Sequence, residues 1–404
     1  MAVRPIALYL HIPYCAQKCG YCDFNSYAFS RRDDHERYLR ALEREMERYA
    51  ALLDETVTVP TVFVGGGTPS LLPADLLERL IRRVYELFPV APGAEFTVEA
   101  NPGTLDTEGE KLARARQAGA NRVSFGVQAF QDHLLRRLGR LHTVQEVYEA
   151  VAAARRAGFA NLNLDLMYGL PGQTVADFEE SLRAAVGLGP EHISAYSLMI
   201  EEGTAFYRLY QEGRLPLPPE EEEEEMDRLA EAVLGAAGYE RYEVSNYARP
   251  GYRCQHNLNY WRNGEWLGLG AGAHSHLLSP LPRDAAGEVP GAVGLPPGEV
   301  RLWNLALPAE YEAAVAAGRW PLAGGEAIDL KGQMEETMIL GLRTWEGVGE
   351  EEFRARFGRE LREVYGPVGE RLEREGLLDR SGGRWRLTPR GRRLGNRVWA
   401  EFLL

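Results

Sequence analysis

Three cysteines near the start of the chain have the spacing Cys15-x3-Cys19-x2-Cys22. Thiolates are the usual ligands of iron–sulfur clusters, and three of them can hold three irons of a [4Fe-4S] cubane. The fourth iron then lacks a protein ligand and can accept the amino and carboxylate groups of a methionine-like molecule. A zinc site with His11 as a fourth ligand is the alternative. Zinc sites favour paired C-x2-C knuckles, so this unequal triplet favours the cluster.

A second set of polar and glycine residues follows the predicted strands further along the chain. Gly65-Gly66-Gly67-Thr68-Pro69 lets backbone N–H groups approach a ligand closely, and it is not a P-loop because no Lys follows. Glu99, Gln128 and Asp165 end later strands, and Arg140 follows Gln128 by a short segment. Each of these taken singly is more simply a solvated or capping residue. Their shared position at strand ends favours a ribose- and carboxylate-binding set.

The elements that must position these residues alternate between short strands and amphipathic helices. Such alternation predicts a parallel sheet with helical crossovers. Six β–α units are too few for a closed eight-stranded barrel, so we expect an α/β fold with an open, partial (β/α)6 barrel whose chemistry lies at the carboxyl ends of the strands. The predicted strands are Ile6–Ile12, Thr61–Gly65, Glu95–Ala100, Arg122–Val127, Asn161–Leu166 and His192–Met199.

Beyond the predicted barrel the composition changes. The acidic run Glu220–Glu225 is best interpreted as the first turn of a helix, where negative charge is favourable. Residues 239–305 are rich in Gly, Pro and aromatic residues, and 280–299 have the composition of a loop. The order of helices and strands near the C-terminus resembles a winged helix. We therefore expect three parts, a barrel over 1–238, a connecting β/loop region over 239–305 and a mainly helical, winged-helix-like domain over 306–404.

Bulk properties exclude several classes of function. The 404 residues carry a net charge of −13, which repels phosphate backbones and argues against a nucleic-acid partner. No apolar run approaches the ~20 residues of a membrane span. The first residues, MAVRPIALYLHIPYC, lack a signal-peptide cleavage site and lead directly into the cysteines. These features predict a cytoplasmic protein without a transmembrane segment, in which clustered cysteines indicate metal chemistry.

The cysteine triplet followed by GGGTP resembles the radical S-adenosylmethionine superfamily. The strings YLHIPYCAQKCGYCDF, GVQAF and NLDLMYGLPGQT are similar to the branch that holds the oxygen-independent coproporphyrinogen III dehydrogenases and the haem chaperones. This resemblance implies a [4Fe-4S] cluster on the three cysteines and S-adenosylmethionine (SAM) on the neighbouring positions. The SAM contacts that it implies are Tyr9, Gly66, Gly67, Thr68, Glu99, Gln128, Arg140 and Asp165, with the backbone of Tyr21 near the ligand.

Three features distinguish the two activities of this branch. Dehydrogenases carry a further cysteine two residues after the third, where this chain has Phe24, and they have a long N-terminal extension. The string Cys254–Trp261 contains HNxxYW, which is similar to the haem-associated motif of the chaperones. The resemblance therefore implies a haem chaperone without catalytic residues, which delivers haem to respiratory enzymes, including acceptors at a membrane surface. The alternative is an oxygen-independent coproporphyrinogen III dehydrogenase.

The HNxxYW segment also has the chemistry of a haem site. His, Cys and Tyr are known axial ligands of haem iron, and His256, Cys254 and Tyr260 supply all three. We expect His256 to bind haem as cargo at an accessible site, although the same residues could simply stabilise a turn and a core. His274 and His276 are a second, weaker candidate pair.

Overall fold

A parallel sheet forms the centre of the computed structural model, which describes residues 3–28, 31–106, 108–279 and 298–403. The strands β2 to β7 lie side by side in chain order, each parallel to the next, with helices between them. The expected α/β fold with a partial barrel is confirmed. Its elements are β1 (Arg4–Pro5), β2 (Ala7–Ile12), α1 (Arg32–Ala50), β3 (Val57–Gly66), α2 (Ala74–Leu87), β4 (Val90–Ala100), α3 (Glu110–Ala118), β5 (Arg122–Gln128), α4 (Asp132–Leu138), α5 (Val144–Arg156), β6 (Leu162–Tyr168), α6 (Val175–Leu188) and β7 (His192–Ser197).

Alternation along the strands separates two faces of this sheet. Leu8, Leu10 and Val62 are fully buried on the face that packs against the surrounding helices. The residues between them point to the barrel interior, where Tyr9 pairs in register with Phe63 and the two rings stack at 6.3 Å. The outer face therefore supplies the apolar core, and the inner face is free to carry polar groups.

The sheet continues beyond the barrel on both edges. On one edge β10 pairs with β2 in parallel and leads into an antiparallel meander, and on the other β9 pairs antiparallel with β7. The expected division at 1–238, 239–305 and 306–404 stays a prediction, and residues 280–297 of the expected loop lie outside the described residues. The elements here are α7 (Ala205–Gln211), α8 (Glu220–Ala236), β8 (Glu240–Arg241), β9 (Asn246–Ala248), α9 (Gln255–Trp261), β10 (Trp266–Leu269), β11 (His274–Leu277), β12 (Val300–Asn304), α10 (Pro308–Ala316) and β13 (Leu322–Ala327).

The C-terminal part has its own hydrophobic core around the fully buried Trp385. Helices and a small antiparallel sheet in the order β14-β16-β15 give it the expected mainly helical, winged-helix-like form. No helix of the described residues is long and apolar enough to cross a membrane. The elements are α11 (Leu330–Gly341), β14 (Val348–Gly349), α12 (Glu350–Phe357), α13 (Leu361–Arg374), β15 (Leu378–Asp379), β16 (Arg384–Leu387), α14 (Pro389–Arg393) and α15 (Gly395–Ala400).

Candidate functional site

A cavity of about 720 Å³ opens at the carboxyl ends of the barrel strands. This is the position that parallel α/β sheets use for ligands, because loops from neighbouring strands converge there. Most of the residues predicted from the sequence line this cavity, whereas Tyr9 and His256 do not. The structure brings together Cys15, Cys19, Tyr21, Cys22, Gly66, Gly67, Thr68, Glu99, Gln128, Arg140 and Asp165.

The three thiols of the triplet line one part of the cavity, and all are free of disulfides. The Thr68 hydroxyl donates to Cys15 Sγ at 3.5 Å, and Arg140 Nη1 donates to Cys19 Sγ at 3.6 Å. Burial raises the pKa of the Cys15 and Cys22 thiols. Burial thus favours the neutral thiols, and a bound metal centre would supply the positive charge that stabilises them as thiolates.

The spread of the thiols distinguishes a cluster from a single ion. Four ligands at 2.3 Å around one zinc ion lie roughly 3.8 Å apart. Within the described residues, the set of His, Cys, Asp or Glu ligand atoms that fall within 4.8 Å of one another is His276, Glu299 and Glu336, so the three thiols are spread more widely. His11 cannot complete a zinc site, because its ring nitrogens bond Tyr9 Oη at 2.9 Å and the Asn25 carbonyl at 2.8 Å. The donor set fits a polynuclear cluster.

The Gly-rich turn brings the end of β3 against the cysteine-bearing loop. Gly66 has φ of +112°, and a Cβ there would lie 2.5 Å from the His11 ring. At Gly67 a Cβ would lie 2.7 Å from the Tyr14 carbonyl oxygen. Only glycine fits at these two positions, so the backbone can approach both the thiols and a ligand in the cavity.

Two half-buried carboxyl groups line the cavity. Glu99 Oε2 accepts from Gly66 N at 3.1 Å, and Asp165 Oδ1 accepts from Asn163 Nδ2 at 2.7 Å. Burial raises the pKa of Glu99 to about 8, with Asp165 contributing, and burial also raises the pKa of Asp165. The protein places little positive charge beside these two carboxyl groups. They therefore suit a ligand that has hydroxyl groups and carries a net positive charge, as SAM does.

Unpartnered polar atoms of the cavity fit a polar ligand that carries a carboxylate group. Arg140 donates through Nη2 to the Gly126 carbonyl, while its buried Nε has no partner among the described residues. The buried Asn101 Oδ1 in the cavity wall also lacks a partner in the described part of the chain. Buried polar groups are normally satisfied, so these atoms indicate a ligand that offers a carboxylate and a donor.

Strand β5 ends in an unusual backbone conformation that sequence reasoning missed. Gln128 has φ of +70°, and its Oε1 accepts from Tyr196 Oη at 3.0 Å across the cavity. Tyr196 lies at the end of β7 and Ser124 on β5, and both line the cavity. The strand-end rule that selected Glu99 would also have found Tyr196.

The remaining predicted residues lie deeper in the barrel. Tyr9 faces the barrel interior, where its hydroxyl hydrogen-bonds His11, and it does not line the cavity. His256 is 1% exposed, whereas an accessible ligand is expected from the sequence. Its Nδ1 bonds Thr61 Oγ1 at 2.9 Å and its Nε2 bonds Tyr260 Oη at 2.8 Å, and burial lowers its pKa to about 3. Haem ligation by His256 therefore requires α9 to move.

The second histidine pair does not form a joint site. His274 stacks on Trp303 at 6.0 Å, while His276 is fully buried and bonds Glu299 Oε1 at 2.8 Å. Arg356 donates to the other oxygen of Glu299 at 3.0 Å. This group acts as an ion-pair network between β11 and α12.

Comparison with known proteins identifies the family. Residues 9–185 match the radical SAM superfamily, and residues 328–394 match the HemN C-terminal domain. The chain is 39% identical to the haem chaperone HemW of Bacillus subtilis over 98% of both chains. The chain belongs to the HemW family. It is also 39% identical to HemW of Mycobacterium tuberculosis over its whole length and 96% of that protein.

A further relative and a solved structure are also similar to this chain. HemW of Escherichia coli is 44% identical over 68% of this chain and 71% of its own. The structure of coproporphyrinogen III oxidase (HemN) from Escherichia coli, a radical SAM enzyme, superposes with a TM-score of 0.82 over 99% of this chain and 90% of HemN, at 23% identity. This likeness shows a shared fold that extends through the C-terminal domain.

Proposed function

We propose that this chain is a haem chaperone that carries haem to haem-acceptor respiratory enzymes, including acceptors at a membrane surface. The observation that supports this most strongly is the identity of 39% to HemW relatives along the full chain. The proposed cofactors are a [4Fe-4S] cluster and SAM, and haem is the cargo. We place the protein in the cytoplasm, and its net charge of −13 argues against nucleic acid as a partner.

The cluster would be held by Cys15, Cys19 and Cys22. The wide spread of their thiols and the hydrogen bonds from Thr68 and Arg140 support this assignment, because donors stabilise thiolate sulfur. When bound, such a cluster offers one iron without a protein ligand to the amino and carboxylate groups of SAM.

The SAM-binding site would be the part of the cavity next to the three cysteines. Gly66, Gly67 and Thr68 present backbone and hydroxyl groups at the end of β3, and Arg140 offers its unpartnered Nε to a carboxylate. The carboxyl groups of Glu99 and Asp165 accept hydroxyl or ammonium donors. Gln128 and the backbone at Tyr21 complete the lining of this site. Tyr9 does not line the cavity and would contribute indirectly, through its hydrogen bond to His11.

The cluster assignment is tested by anaerobic reconstitution. We expect about four iron and four sulfide per chain, and the loss of both on changing any triplet cysteine to Ser. Cys254→Ser is the matched control, because Cys254 is fully buried and bonds Glu95 outside the cavity. Reconstitution with one zinc per chain and no sulfide would contradict the cluster.

The alternative activity is an oxygen-independent coproporphyrinogen III dehydrogenase. It is less well supported, since HemN shares only the fold at 23% identity. Phe24, which stands where dehydrogenases have a further cysteine, is 60% exposed at the cavity. Its benzyl side chain offers neither a ligand nor a proton, so we expect no such catalysis.

One experiment separates the two activities. The anaerobically reconstituted protein is incubated with haem and, separately, with coproporphyrinogen III and SAM. We expect a stable haem complex at about one haem per chain and no protoporphyrinogen IX. Conversion of coproporphyrinogen III without stable haem binding would replace the chaperone with the dehydrogenase.

His256 is our proposed haem ligand, and its burial defines what binding requires. The carboxylate of Glu95 holds the first turn of α9, the helix that carries His256. It accepts from Gln255 N at 3.0 Å and from His256 N at 3.1 Å. The ring also stacks on Phe63 at 5.2 Å. A ligand role therefore needs a state in which α9 has left these partners, which suits a carrier that binds and releases its cargo.

A further inference from the structure

An unbroken chain of hydrogen bonds crosses the barrel interior from α9 to the cavity. It begins at Cys254 N, which bonds Tyr242 Oη at 3.1 Å. Tyr242 Oη bonds His192 Nε2 at 2.7 Å, and His192 Nδ1 bonds Asn163 Oδ1 at 2.6 Å. Asn163 Nδ2 then bonds Asp165 Oδ1 at 2.7 Å. The chain therefore joins the residue before α9 to a carboxyl group of the cavity.

Donor and acceptor chemistry fixes the direction of every bond in this chain. A backbone N–H can only donate, so Tyr242 accepts from Cys254 and gives its own proton to His192 Nε2. Burial holds the pKa of His192 well below its usual value, so the ring is neutral and carries one N–H. The Asn163 oxygen beside Nδ1 can only accept, so this N–H lies on Nδ1. That N–H donates to the Asn163 oxygen, and the Asn163 amide nitrogen donates to Asp165. Bonds that all point the same way strengthen one another.

Solvent cannot replace a broken member of the chain. His192 and Cys254 are fully buried, and Asn163 and Tyr242 are each 2% exposed. An unsatisfied polar group in such surroundings costs about 1–3 kcal/mol. Breaking the chain at one end therefore disfavours order at the other end, and in this structure α9 is docked on Glu95.

We infer that occupancy of the cavity at Asp165 is coupled through this chain to the docking of α9. The identity of the two ligands rests on the function proposed above. A SAM hydroxyl that donates to Asp165 holds this carboxyl group in the position from which it accepts from Asn163, which favours the intact chain and docked α9. Because haem ligation by His256 needs α9 detached, SAM weakens haem binding, and haem weakens SAM binding by the same factor.

Hydrogen–deuterium exchange of the α9 amides tests the coupling without haem. SAM is added to the reconstituted wild type, to Tyr242→Phe and to Tyr247→Phe. Tyr242→Phe removes the hydroxyl at the middle of the chain. Tyr247→Phe is the matched control, because the hydroxyl of this buried tyrosine on β9 has no partner within the described residues. We expect SAM to slow exchange in wild type and Tyr247→Phe by about fivefold or more, and to leave Tyr242→Phe unchanged.

His192→Gln interrupts the same chain one residue further on and replaces Tyr242→Phe if that variant fails to fold. An equal SAM effect in wild type and Tyr242→Phe, or no effect in wild type with SAM bound, would overturn the coupling. Haem titrations with and without SAM keep this result separate from the proposed function. Haem binding that is insensitive to SAM leaves the chaperone in place and removes the coupling, whereas a SAM effect on α9 without any haem binding removes the chaperone alone.

Discussion

The substitution Gly66→Ala examines how the end of β3 holds the cysteine-bearing loop. A Cβ at this position would lie 2.5 Å from His11 Cε1 and 2.6 Å from its Nδ1. The ring cannot move aside freely, because it bonds Tyr9 and, through Nε2, the Asn25 carbonyl. Asn25 follows Cys22 by three residues, so a displaced His11 disturbs the loop that carries the thiols.

The size of this effect follows from two separate terms. The φ of +112° at Gly66 lies where an L side chain costs about 1–2 kcal/mol, and overpacking against His11 adds about 1–3 kcal/mol. Gly93→Ala is the matched control, because Gly93 has φ of +77° but no atom within 4 Å of an added Cβ. We expect a total loss of about 2–5 kcal/mol at Gly66 and only the backbone term at Gly93.

Thermal unfolding and iron content measure the two consequences. We expect the unfolding midpoint of Gly66→Ala to fall clearly below that of Gly93→Ala, and its iron content after reconstitution to fall below the wild-type value. Equal midpoints and equal iron contents in the two variants would refute the reasoning, since they would show that the His11 ring does not confine the β3 end.

Further predictions concern the ligands. Because burial raises the pKa of Glu99 to about 8, this group gains its negative charge as the pH rises through 8, so the affinity for positively charged SAM should rise between pH 7 and pH 9. In Glu99→Gln, calorimetry should no longer show this rise in affinity, and a pH profile equal to that of the wild type would exclude Glu99 from the site. Arg140→Lys keeps the charge but removes Nε, so SAM affinity should fall about tenfold, as expected for one charge-assisted hydrogen bond. A dissociation constant equal to that of the wild type would contradict a contact between Arg140 Nε and SAM. His256→Ala should abolish the Soret shift on haem addition, while Tyr260→Phe, which frees His256 Nε2, should bind haem at least as tightly as wild type; equal binding by both variants and the wild type would place haem elsewhere.

Most of the barrel could be predicted because its signal is local. Strands such as Leu162–Tyr168 alternate apolar residues with the polar Asn163 and Asp165, and the helices between the strands have regular apolar faces. The cavity residues could be predicted for a related reason, since parallel strands present their carboxyl ends at one edge. Gly66, Glu99 and Asp165 therefore converge although they are far apart in the sequence.

The position of the HNxxYW segment could not be predicted in this way. Its burial depends on Glu95, which is 161 residues from His256 along the chain and accepts from its backbone N–H. The pairing of β10 with β2 in parallel is similarly remote. Tyr9 follows the same pattern, because its ring points to the interior and stacks on Phe63 of the neighbouring strand. Contacts at such separations leave no periodic pattern in the sequence.

The most direct test of the central claim is haem transfer. The haem-loaded, reconstituted chain is mixed with the apo form of a b-type cytochrome, and the absorption spectrum is followed with time. The chaperone function predicts loss of the carrier spectrum and appearance of the holo-cytochrome spectrum at a rate that depends on the concentration of the chain. Haem that stays on the chain, or that reaches the cytochrome no faster than free haem does, would contradict it.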